Sequence, residues 1–349
     1  MISLNIIHSP SFKLYIKLRN CNIKLYNERK LGGLDSMGKK MKEAILNGKI
    51  ISINDYNQEK MSRDLQCRYC DASLSYVREH PRDLGDRRII VSRHFKLKPG
   101  SEHEEGCMNT VGGSLKNIYA KHADNEIMTK EDETYKVRIL LVDNTTDFQS
   151  SSDQKDTVNN KKGRKLNYIP TGKKTAYLST IKSIMRLRSE LDNNSEIQNK
   201  LTLEISSNTG DKINVRWRNF YFDSSEDESY RKMLNYLKRK HDHSICVDGY
   251  IKEIKPIKDG YFLNLLPQNF SQEDNINKVS IGYYMKDQDM IEKLKNYKNK
   301  RIVVYAQCKF QKKTSFTPLN NRSNEPITFY YHNVKGNIYD KNQILLIDD

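Results

Sequence analysis

The sequence predicts an α+β, multi-domain protein, and three observations lead to this prediction. Cysteine and histidine side chains recur at metal-ligand spacing between Cys67 and Cys107. Helical and extended patterns alternate from there to about residue 243. The last hundred residues consist mainly of alternating apolar and polar segments separated by turn residues, which is typical of a small sheet or barrel.

Two short segments, Cys67-Arg-Tyr-Cys70 and His103-Glu-Glu-Gly-Cys107, supply four candidate metal ligands. Two cysteines separated by two residues can share one ion on a tight turn, and thiolate and imidazole groups suit Zn²⁺. Because four protein ligands leave no open coordination position, the predicted site is a structural zinc site. The alternative is that these are unrelated buried thiols. That is our expectation for the isolated cysteines Cys21, Cys246 and Cys308.

His94, which precedes Phe95, is a rival to His103 as the third ligand. It could replace His103 or orient a ligand from outside the coordination shell. A histidine beside a phenylalanine is also often a packed residue, and this is the interpretation that we favour.

The predicted zinc-binding module spans residues 61–113. Ser73–Val77 and Arg88–Phe95 alternate as strands and predict a hairpin between the two ligand pairs, as in a zinc ribbon or finger. Such a module has little core, so the metal would supply much of its folding energy. Residues 1–60 are predicted to form an N-terminal arm, with a short helix over Lys39–Leu46 and an extended segment over Ile50–Ile53.

The start of the chain has two interpretations. Gly32 and Gly33 lie shortly before Met37, and two adjacent glycine codons can encode a bacterial ribosome-binding sequence. Translation from Met37 would make residues 1–36 a mis-annotated extension. The alternative is a genuine, strand-rich N-terminal arm.

The Cys67-x2-Cys70 pair, the hairpin and His94-Phe95 together resemble the zinc-finger-like N-terminal region of the CoiA-type competence proteins. In that family the segment precedes a nuclease-like domain. Here the ligand set ends at His103 and Cys107, and no nuclease core is recognisable downstream. The resemblance therefore implies DNA-related biology in a bacterium and implies no activity.

Residues 114–243 are predicted to form a mixed α/β central domain. Leu115–Ala123 and Ala176–Leu191 have helical periodicity, and Tyr135–Val142 is a strand pattern. The only tryptophan, Trp217, could stack on a base, although a lone tryptophan is more often a core anchor. The other predicted elements are strands over Leu201–Ile205 and Lys212–Phe222, and a helix over Glu226–Lys240 capped by Ser224 or Ser225.

The charge of the chain favours a polyanionic partner such as nucleic acid. The sequence has 60 Lys and Arg against 44 Asp and Glu, a net charge of +16. Nine of these basic residues lie between residues 161 and 191, where Glu190 is the only acid. The alternative is a lysine-rich surface without a specific role. A disordered basic linker is predicted over residues 144–175. The candidate phosphate-binding residues of this region are Lys161, Lys162, Arg164, Lys165, Arg186 and Arg188.

Five strands, with a helix over Asp289–Tyr297 after the third, are predicted in residues 244–349. This is the element order of an OB-fold, and Val247–Ile251 resembles its first strand, where a glycine permits sharp curvature. The resemblance implies an OB-like β-barrel. An SH3-like barrel or a plain antiparallel sheet is the alternative. The five strands are Ile245–Ile254, Gly260–Leu266, Lys278–Met285, Arg301–Gln311 and Ile327–Tyr339.

Alternation within these strands predicts an outer face with tyrosines beside lysines. Aromatic rings stack on bases and lysines neutralise phosphates, so this face would suit single-stranded DNA or RNA. The alternative is that tyrosine is simply a good strand residue. The candidate residues of this face are Tyr250, Lys252, Tyr284, Tyr305 and Lys309.

No catalytic motif is defensible, and an enzyme is the less favoured interpretation. The sequence has no Gly-rich phosphate loop and no G-x-S-x-G. Asp248 followed by Glu253-Ile254-Lys255 superficially suits a metal-dependent nuclease of DNA processing or phage defence. A third interpretation is a protein-binding scaffold.

The composition favours a cytoplasmic protein. No apolar run approaches the roughly 20 residues that span a bilayer, and the N-terminus lacks the apolar core of a secretion signal. A reducing compartment also suits thiolate ligands. The abundance of Lys, Asn and Ile suggests a bacterial, AT-rich genome.

Overall fold

The protein is a mixed α+β structure in which strands predominate. It is represented by a computed structural model. The structure describes residues 38–83, 88–122, 126–139, 171–206, 212–226, 228–239, 243–272, 275–316 and 328–347. Two predicted features therefore lie outside the described residues: the segment 1–36 and most of the basic linker.

The first part of the chain forms an antiparallel sheet of five short strands and a separate two-stranded hairpin. The sheet has the order β2-β1-β3-β4-β7, and the hairpin β5–β6 lies in the connection between β4 and β7. The strands are β1 (Glu43–Leu46), β2 (Lys49–Ser52), β3 (Leu65–Gln66), β4 (Ser73–Val77), β5 (His80–Asp83), β6 (Arg88–Val91) and β7 (His94–Leu97).

The predicted helix over Lys39–Leu46 is wrong, because β1 pairs with β2 as a hairpin. Asn47 and Gly48 connect the two strands with φ values of 50° and 74°. An Asn-Gly pair adopts this left-handed conformation readily and is a strong hairpin signal. Alternate residues of β1 are buried, which is the two-residue period of a strand rather than the helical period.

The predicted strand Arg88–Phe95 is two strands in the structure. β6 pairs with β5 and ends at Val91, and β7 begins at His94 and pairs with β4. A small core lies under the sheet, where Tyr56, Tyr76 and Phe95 pack with ring centroids 5.2–6.3 Å apart.

The central part of the chain has a four-stranded sheet of order β11-β10-β9-β8, packed against helices. Strands β9 and β10 are parallel, and the other two pairings are antiparallel. The elements are α1 (Val111–Lys121), β8 (Met128–Glu131), β9 (Thr134–Ile139), α2 (Thr171–Ser189), α3 (Ser195–Lys200), β10 (Leu201–Ser206), β11 (Lys212–Val215), β12 (Tyr221–Asp223) and α4 (Ser229–Leu237).

Helix α2 is amphipathic as its sequence pattern predicts, although it begins at Thr171 rather than Ala176. It packs into a core that also contains Val303 and Tyr305 from the C-terminal part of the chain. The predicted apolar stripe is buried along its whole length: Leu178, Ile181, Ile184, Met185 and Leu191.

The predicted strand Lys212–Phe222 is interrupted by a 3-10 turn at Trp217–Asn219. Trp217 is buried there, stacks on Tyr221 at 5.6 Å, and donates a hydrogen bond from Nε1 to Asn194 Oδ1 over 3.0 Å. The tryptophan is therefore a core anchor, which was the favoured interpretation. The turn redirects the chain so that β12 pairs in parallel with the C-terminal sheet.

The helix predicted from Glu226 begins later, at Ser229, with Glu228 at its N-cap. Neither predicted serine, Ser224 or Ser225, is the cap. The backbone N–H and the hydroxyl of Ser225 both donate to Asp223 Oδ1, over 2.8 and 2.7 Å. The serine stabilises the turn after β12 instead.

The C-terminal part of the chain forms a strongly curled sheet. Its elements are β13 (Ile245–Ile257), β14 (Gly260–Leu265), β15 (Gln268–Gln272), β16 (Asn275–Met285), α5 (Gln288–Lys295), β17 (Arg301–Ala306), β18 (Cys308–Phe316), β19 (Phe329–Ile338) and β20 (Ile344–Leu346).

The curled sheet has the order β18-β19-β16-β14-β13-β17-β20. β16 and β19 are parallel, and the neighbouring pairs are antiparallel. Only Gln307 separates β17 from β18, so the predicted fourth strand bends at this residue and pairs with β13 in its first half and β19 in its second. Helix α5 lies between β16 and β17 along the chain.

Strand β17 is buried on both of its faces, which corrects the predicted outer face of Arg301–Gln311. Ile302 and Val304 point into the core of the curled sheet, while Val303 and Tyr305 pack against the central part. Tyr305 is 0% exposed, and its hydroxyl lies 2.6 Å from the hydroxyl of Tyr177 on α2. The prediction that Tyr305 faces nucleic acid is therefore wrong, because the central part covers this side of the strand.

A network of buried charges joins α2, β12, β13 and β17. Arg188 Nη2 lies 3.2 Å from Asp223 Oδ2, and Arg301 holds Asp248 through bonds of 2.7 and 2.9 Å. Asp223 and Asp248 are register partners on β12 and β13, and Arg301 also lies 3.5 Å from Asp223. Tyr221 donates its hydroxyl proton to Asp248 over 2.7 Å.

This network corrects the prediction that Arg188 contacts phosphate. Arg188 is only 2% exposed, and its guanidinium is committed to Asp223 and Glu226, the latter at 3.0 Å. A guanidinium removed from water in this way needs carboxylate partners, which explains the pairing.

The two aspartates of the network have opposite pKa shifts. Burial raises the pKa of Asp248, and Arg301 only partly offsets it. Burial also acts to raise the pKa of Asp223, but Arg301 and Arg188 outweigh it and lower the pKa. Asp223 therefore contributes stability above its unfolded pKa, and this contribution is lost as pH falls through its folded pKa.

The described residues all belong to one compact unit, residues 36–349. The core of the central part includes residues of β17 and β20, so the two parts share a hydrophobic core. The predicted domain boundaries at residues 61–113, 114–243 and 244–349 stay predictions.

Replacing Asp248 with alanine should strongly destabilise the protein. The change leaves Arg301 buried without its main partner, which costs about 3–5 kcal/mol of unfolding free energy. Urea denaturation followed by circular dichroism measures the difference. Glu253→Ala is the control, because Glu253 lies on the same strand in a surface ion pair with Lys255 and should cost under about 1 kcal/mol. Equal losses in the two variants would contradict the role of the network.

Candidate functional site

Four side chains converge beside the N-terminal sheet. Cys67 and Cys70 lie on the turn between β3 and β4, and His103 and Cys107 lie in the connection between β7 and α1. Their Sγ and ring nitrogen atoms all lie within 4.8 Å of one another. The sequence-predicted ligands are thus brought together from two distant segments of the chain.

The distances within this cluster fit a tetrahedral ion. In a tetrahedron, metal–sulfur bonds of about 2.3 Å and metal–nitrogen bonds of about 2.0 Å place two sulfurs about 3.8 Å apart, and sulfur and nitrogen about 3.5 Å apart. Cys67 Sγ lies 3.7 Å from Cys107 Sγ. His103 Nδ1 lies 3.3 Å from Cys70 Sγ and 3.6 Å from Cys107 Sγ. The donors therefore suit a closed, four-coordinate site.

Hydrogen-bond donors surround the sulfur atoms of the cluster. Asn109 donates from Nδ2 to Cys67 Sγ over 3.2 Å and from its backbone N–H to Cys107 Sγ over 3.4 Å. The backbone N–H of Tyr69 donates to Cys67 Sγ over 3.4 Å. Donors aimed at sulfur stabilise thiolates, which are the form that binds metal.

Two thiols of the cluster have opposite pKa shifts. Burial acts to raise the pKa of Cys70, but backbone hydrogen bonds at Ala72 and Glu104 outweigh it and lower the pKa. Burial raises the pKa of the Cys107 thiol to about 12, so without a cation this group stays protonated at neutral pH. A bound divalent ion reverses this preference and holds the sulfur as a thiolate.

Helix α1 holds the second ligand pair in place. Thr110 caps the helix by accepting from the Gly113 N–H, and its hydroxyl donates to the Cys107 carbonyl over 2.7 Å. A Cβ at Gly113 would lie 2.1 Å from that carbonyl oxygen. Only glycine therefore permits the close approach of the helix to the ligand loop.

His94 is not part of the cluster. It is buried, and its Nδ1 lies 2.8 Å from the Ser92 carbonyl oxygen. Burial lowers the pKa of His94. These observations agree with the interpretation of His94 as a packed residue.

The predicted nucleic-acid contacts fall into three groups. Tyr250 is buried like Tyr305 and Arg188, so its placement on an outer face was wrong. Lys161, Lys162, Arg164 and Lys165 lie outside the described residues. Arg186, Lys252 and Lys309 are exposed, and Tyr284 is half-buried.

Tyr284 lies on the outer face of the curled sheet beside Phe262, which sequence reasoning missed. The two residues are register partners on β16 and β14. The alternation of β14 could have revealed Phe262, because it falls between the buried Leu263 and the turn, on the face opposite to Leu263 and Leu265.

Both rings lie against glycines of the neighbouring strand. A Cβ at Gly282 would lie 2.4 Å from Phe262 Cε1, and one at Gly260 would lie 3.0 Å from Tyr284 Cε2. The Tyr284 hydroxyl donates to the Asp259 carbonyl over 2.6 Å, which fixes its ring. The glycines thus let the two aromatic rings settle onto the sheet.

Lysines accompany these rings. Lys335 Nζ lies 5.5 Å from the Phe262 ring centroid, and Lys286 Nζ lies 5.9 Å from the Tyr284 ring centroid. A groove of about 300 Å³ runs beside them. Its lining residues are Phe262, Tyr284, Gln307, Lys309, Gln311, Lys335, Gly336, Asn337 and Tyr339. We call this surface the outer aromatic face.

Asp248, Glu253 and Lys255, the predicted nuclease residues, do not come together as a metal site. Asp248 is fully buried and paired with Arg301, whereas Glu253 is partly exposed and lies 3.2 Å from Lys255. Five residues of extended strand also place Asp248 and Glu253 about 16 Å apart. These carboxylates therefore cannot share a metal ion.

Comparison with known proteins identifies no family for this chain. No protein-family model matches the chain, and no curated protein matches it. A solved structure described as "Plasmodium falciparum SSB complex with ssDNA" aligns with 31% of this chain and 97% of its own, at 16% identity and a TM-score of 0.18. A TM-score this low supports no argument. Among the described residues, no helix is long and apolar enough to cross a bilayer.

The cluster should bind one transition-metal ion per chain. Elemental analysis of the purified native protein measures this stoichiometry, and Cys107→Ala should abolish it because one of the four ligands is lost. Cys308→Ala is the matched control, since Cys308 is a buried cysteine of the curled sheet. Metal content that is absent from the native protein, or equal in both variants, would contradict the site.

Proposed function

We propose that the protein binds single-stranded DNA or RNA on the outer aromatic face, and that a structural zinc ion holds its N-terminal part in shape. The observation that carries the proposal is the pair of aromatic rings on β14 and β16, each accompanied by a lysine. Bases stack on such rings irrespective of sequence, and lysines neutralise the phosphates between them.

The geometry of the two rings supports more than one base position. Phe262 and Tyr284 face each other across β14 and β16, but each leans toward a glycine located diagonally on the other strand. The two rings thereby separate along the strands instead of packing on each other. Each stacked base contributes roughly 1–3 kcal/mol of binding free energy.

The topology of the curled sheet supports an OB-like barrel. We number β13, β14 and β16 as strands one to three, the bent strand β17–β18 as strand four, and β19 as strand five. The strands then pair in the order one, two, three, five and four, and strand four also pairs with strand one. A helix stands between the third and fourth strands. In OB-folds, the face of the second and third strands binds oligonucleotides, and these correspond to β14 and β16.

The donor set supports zinc as the ion. Three thiolates and one imidazole in a tetrahedron are a typical structural zinc set, and they leave no position for a substrate. The small core of the N-terminal sheet would gain folding free energy from the ion. In this proposal the zinc site has no catalytic step.

Removing both rings with Phe262→Ala and Tyr284→Ala should weaken binding of an unphosphorylated oligothymidylate by about tenfold or more, because each lost stack costs more than about 1 kcal/mol. Fluorescence anisotropy at fixed salt concentration measures the change. Tyr69→Ala is the control, since this tyrosine is 48% exposed on the N-terminal part. Unchanged affinity in the double variant would refute the proposal, and parallel DNA and RNA titrations would show the preferred strand.

Gly282→Ala should weaken the same binding while the protein stays folded. The added methyl group would meet the Phe262 ring and the Asn264 side chain, both of which can move, so the ring must leave its position on the sheet. Gly112→Ala is the matched control, because a Cβ there meets nothing within 4 Å. Anisotropy again measures affinity, and thermal denaturation checks folding. Equal affinities for the two variants would show that the ring position does not matter.

A further inference from the structure

A large polar cavity lies between the β5–β6 hairpin, α2 and the C-terminal sheet. Its volume is about 860 Å³, which is within the range of sites that bind small molecules. The buried network forms part of its wall, through Arg188, Asp223 and Arg301. None of the outer aromatic face residues lines it, so the cavity is a separate site.

Every carboxylate that lines the cavity already has a cationic partner. Asp223 and Glu226 pair with Arg188, Glu190 pairs with Lys39, Asp192 pairs with Lys40, and Asp83 pairs with Arg88. These negative charges are therefore locally compensated and have little capacity left to attract a cationic ligand.

Several cations that line the cavity have no such partner. Among the described residues, Arg82, Arg186 and Lys232 make no ion pair, and Arg93 donates only to the neutral Asn54 side chain over 3.1 Å. They come from three different elements and the connection after β6. The cavity consequently has uncompensated positive charge, which favours an anionic ligand.

The cavity also has apolar walls. Ile89 and Tyr250 are buried where they line it, and the half-buried Leu346 and Ile347 also belong to its lining. A ligand that combines a phosphate with a flat apolar ring would satisfy both kinds of wall. We propose that this cavity binds a phosphorylated nucleotide, either free or as the 5′-phosphorylated end of a strand.

The buried network makes the cavity rigid on one side. Arg188 and Arg301 cannot move without leaving Asp223 and Asp248 unpaired, so their guanidinium groups stay fixed at the wall. Arg186 and Lys232 are exposed residues of the same lining and would bind the phosphate, because arginine and lysine both bind phosphate well.

Calorimetric titration of the full chain with AMP, pyrophosphate and adenosine tests the proposal. AMP and pyrophosphate should bind, and adenosine should bind at least about tenfold more weakly because it lacks the anion. Anisotropy with a short oligothymidylate, with and without a 5′-phosphate, tests the second source. Binding of the phosphorylated strand but not of AMP assigns the site to a strand end.

The charge-removing double variant Arg186→Gln with Lys232→Gln should weaken the phosphate-dependent binding by about tenfold or more. Lys293→Gln with Lys298→Gln is the control, since it removes the same charge from exposed positions outside the cavity. The proposal is overturned if neither AMP nor the 5′-phosphate binds preferentially, or if both double variants lose affinity equally. Failure here is distinguishable from failure at the outer aromatic face, because AMP is titrated without a strand and the outer face is tested without a 5′-phosphate.

Discussion

The buried pairing of Arg188 and Arg301 with Asp223 and Asp248 is the constraint on which the rest of the structure depends. These charges come from α2, β17, β12 and β13, so one network connects the central part to the C-terminal sheet. Separating a buried charge from its partner costs several kcal/mol. A shift of one residue in the β12–β13 register would move Asp223 away from Arg301 and Tyr221 away from Asp248. The network therefore selects one register and one position of α2.

The N-terminal part obeys a different constraint. Its sheet is built from strands of two to five residues, and its core is small. The Cys and His cluster links the β3–β4 turn to the loop before α1, and Gly113 brings that helix against the same loop. A bound ion in this position would replace the apolar contacts that so small a core cannot provide.

The sequence predicts local features well and burial between distant parts poorly. Ligand spacing and strand alternation depend on neighbours in the chain, so the Cys67–Cys107 cluster and the C-terminal strands could be foreseen. Alternation assigns Tyr305 to one face of its strand but does not say what covers that face, and here α2 covers it. The prediction that Arg188 contacts phosphate was wrong for the same reason. Its partners on β12 and in the following turn are far away in sequence. The predicted helix at Lys39–Leu46 was wrong for a local reason. Asn47-Gly48 is a hairpin turn signal, and the preceding residues form a strand of that hairpin.

The two sides of the C-terminal sheet differ in what covers them. On the side of β17, the central part covers the strand and tyrosines become core residues. On the side of β14 and β16, no described element covers the sheet, and glycines at positions 260 and 282 leave room for Phe262 and Tyr284 to lie on it. A side chain at Gly282 would push the Phe262 ring away from the sheet, whereas one at Gly260 would first meet the Met285 carbonyl oxygen and then the Tyr284 ring. Keeping two partly exposed rings and their lysines on an uncovered face adds little to folding, because exposed aromatic area gains little from burial. The proposed binding of a single strand, with flat bases and anionic phosphates, would explain why the rings and lysines occur together on this face. Folding stability alone does not explain it.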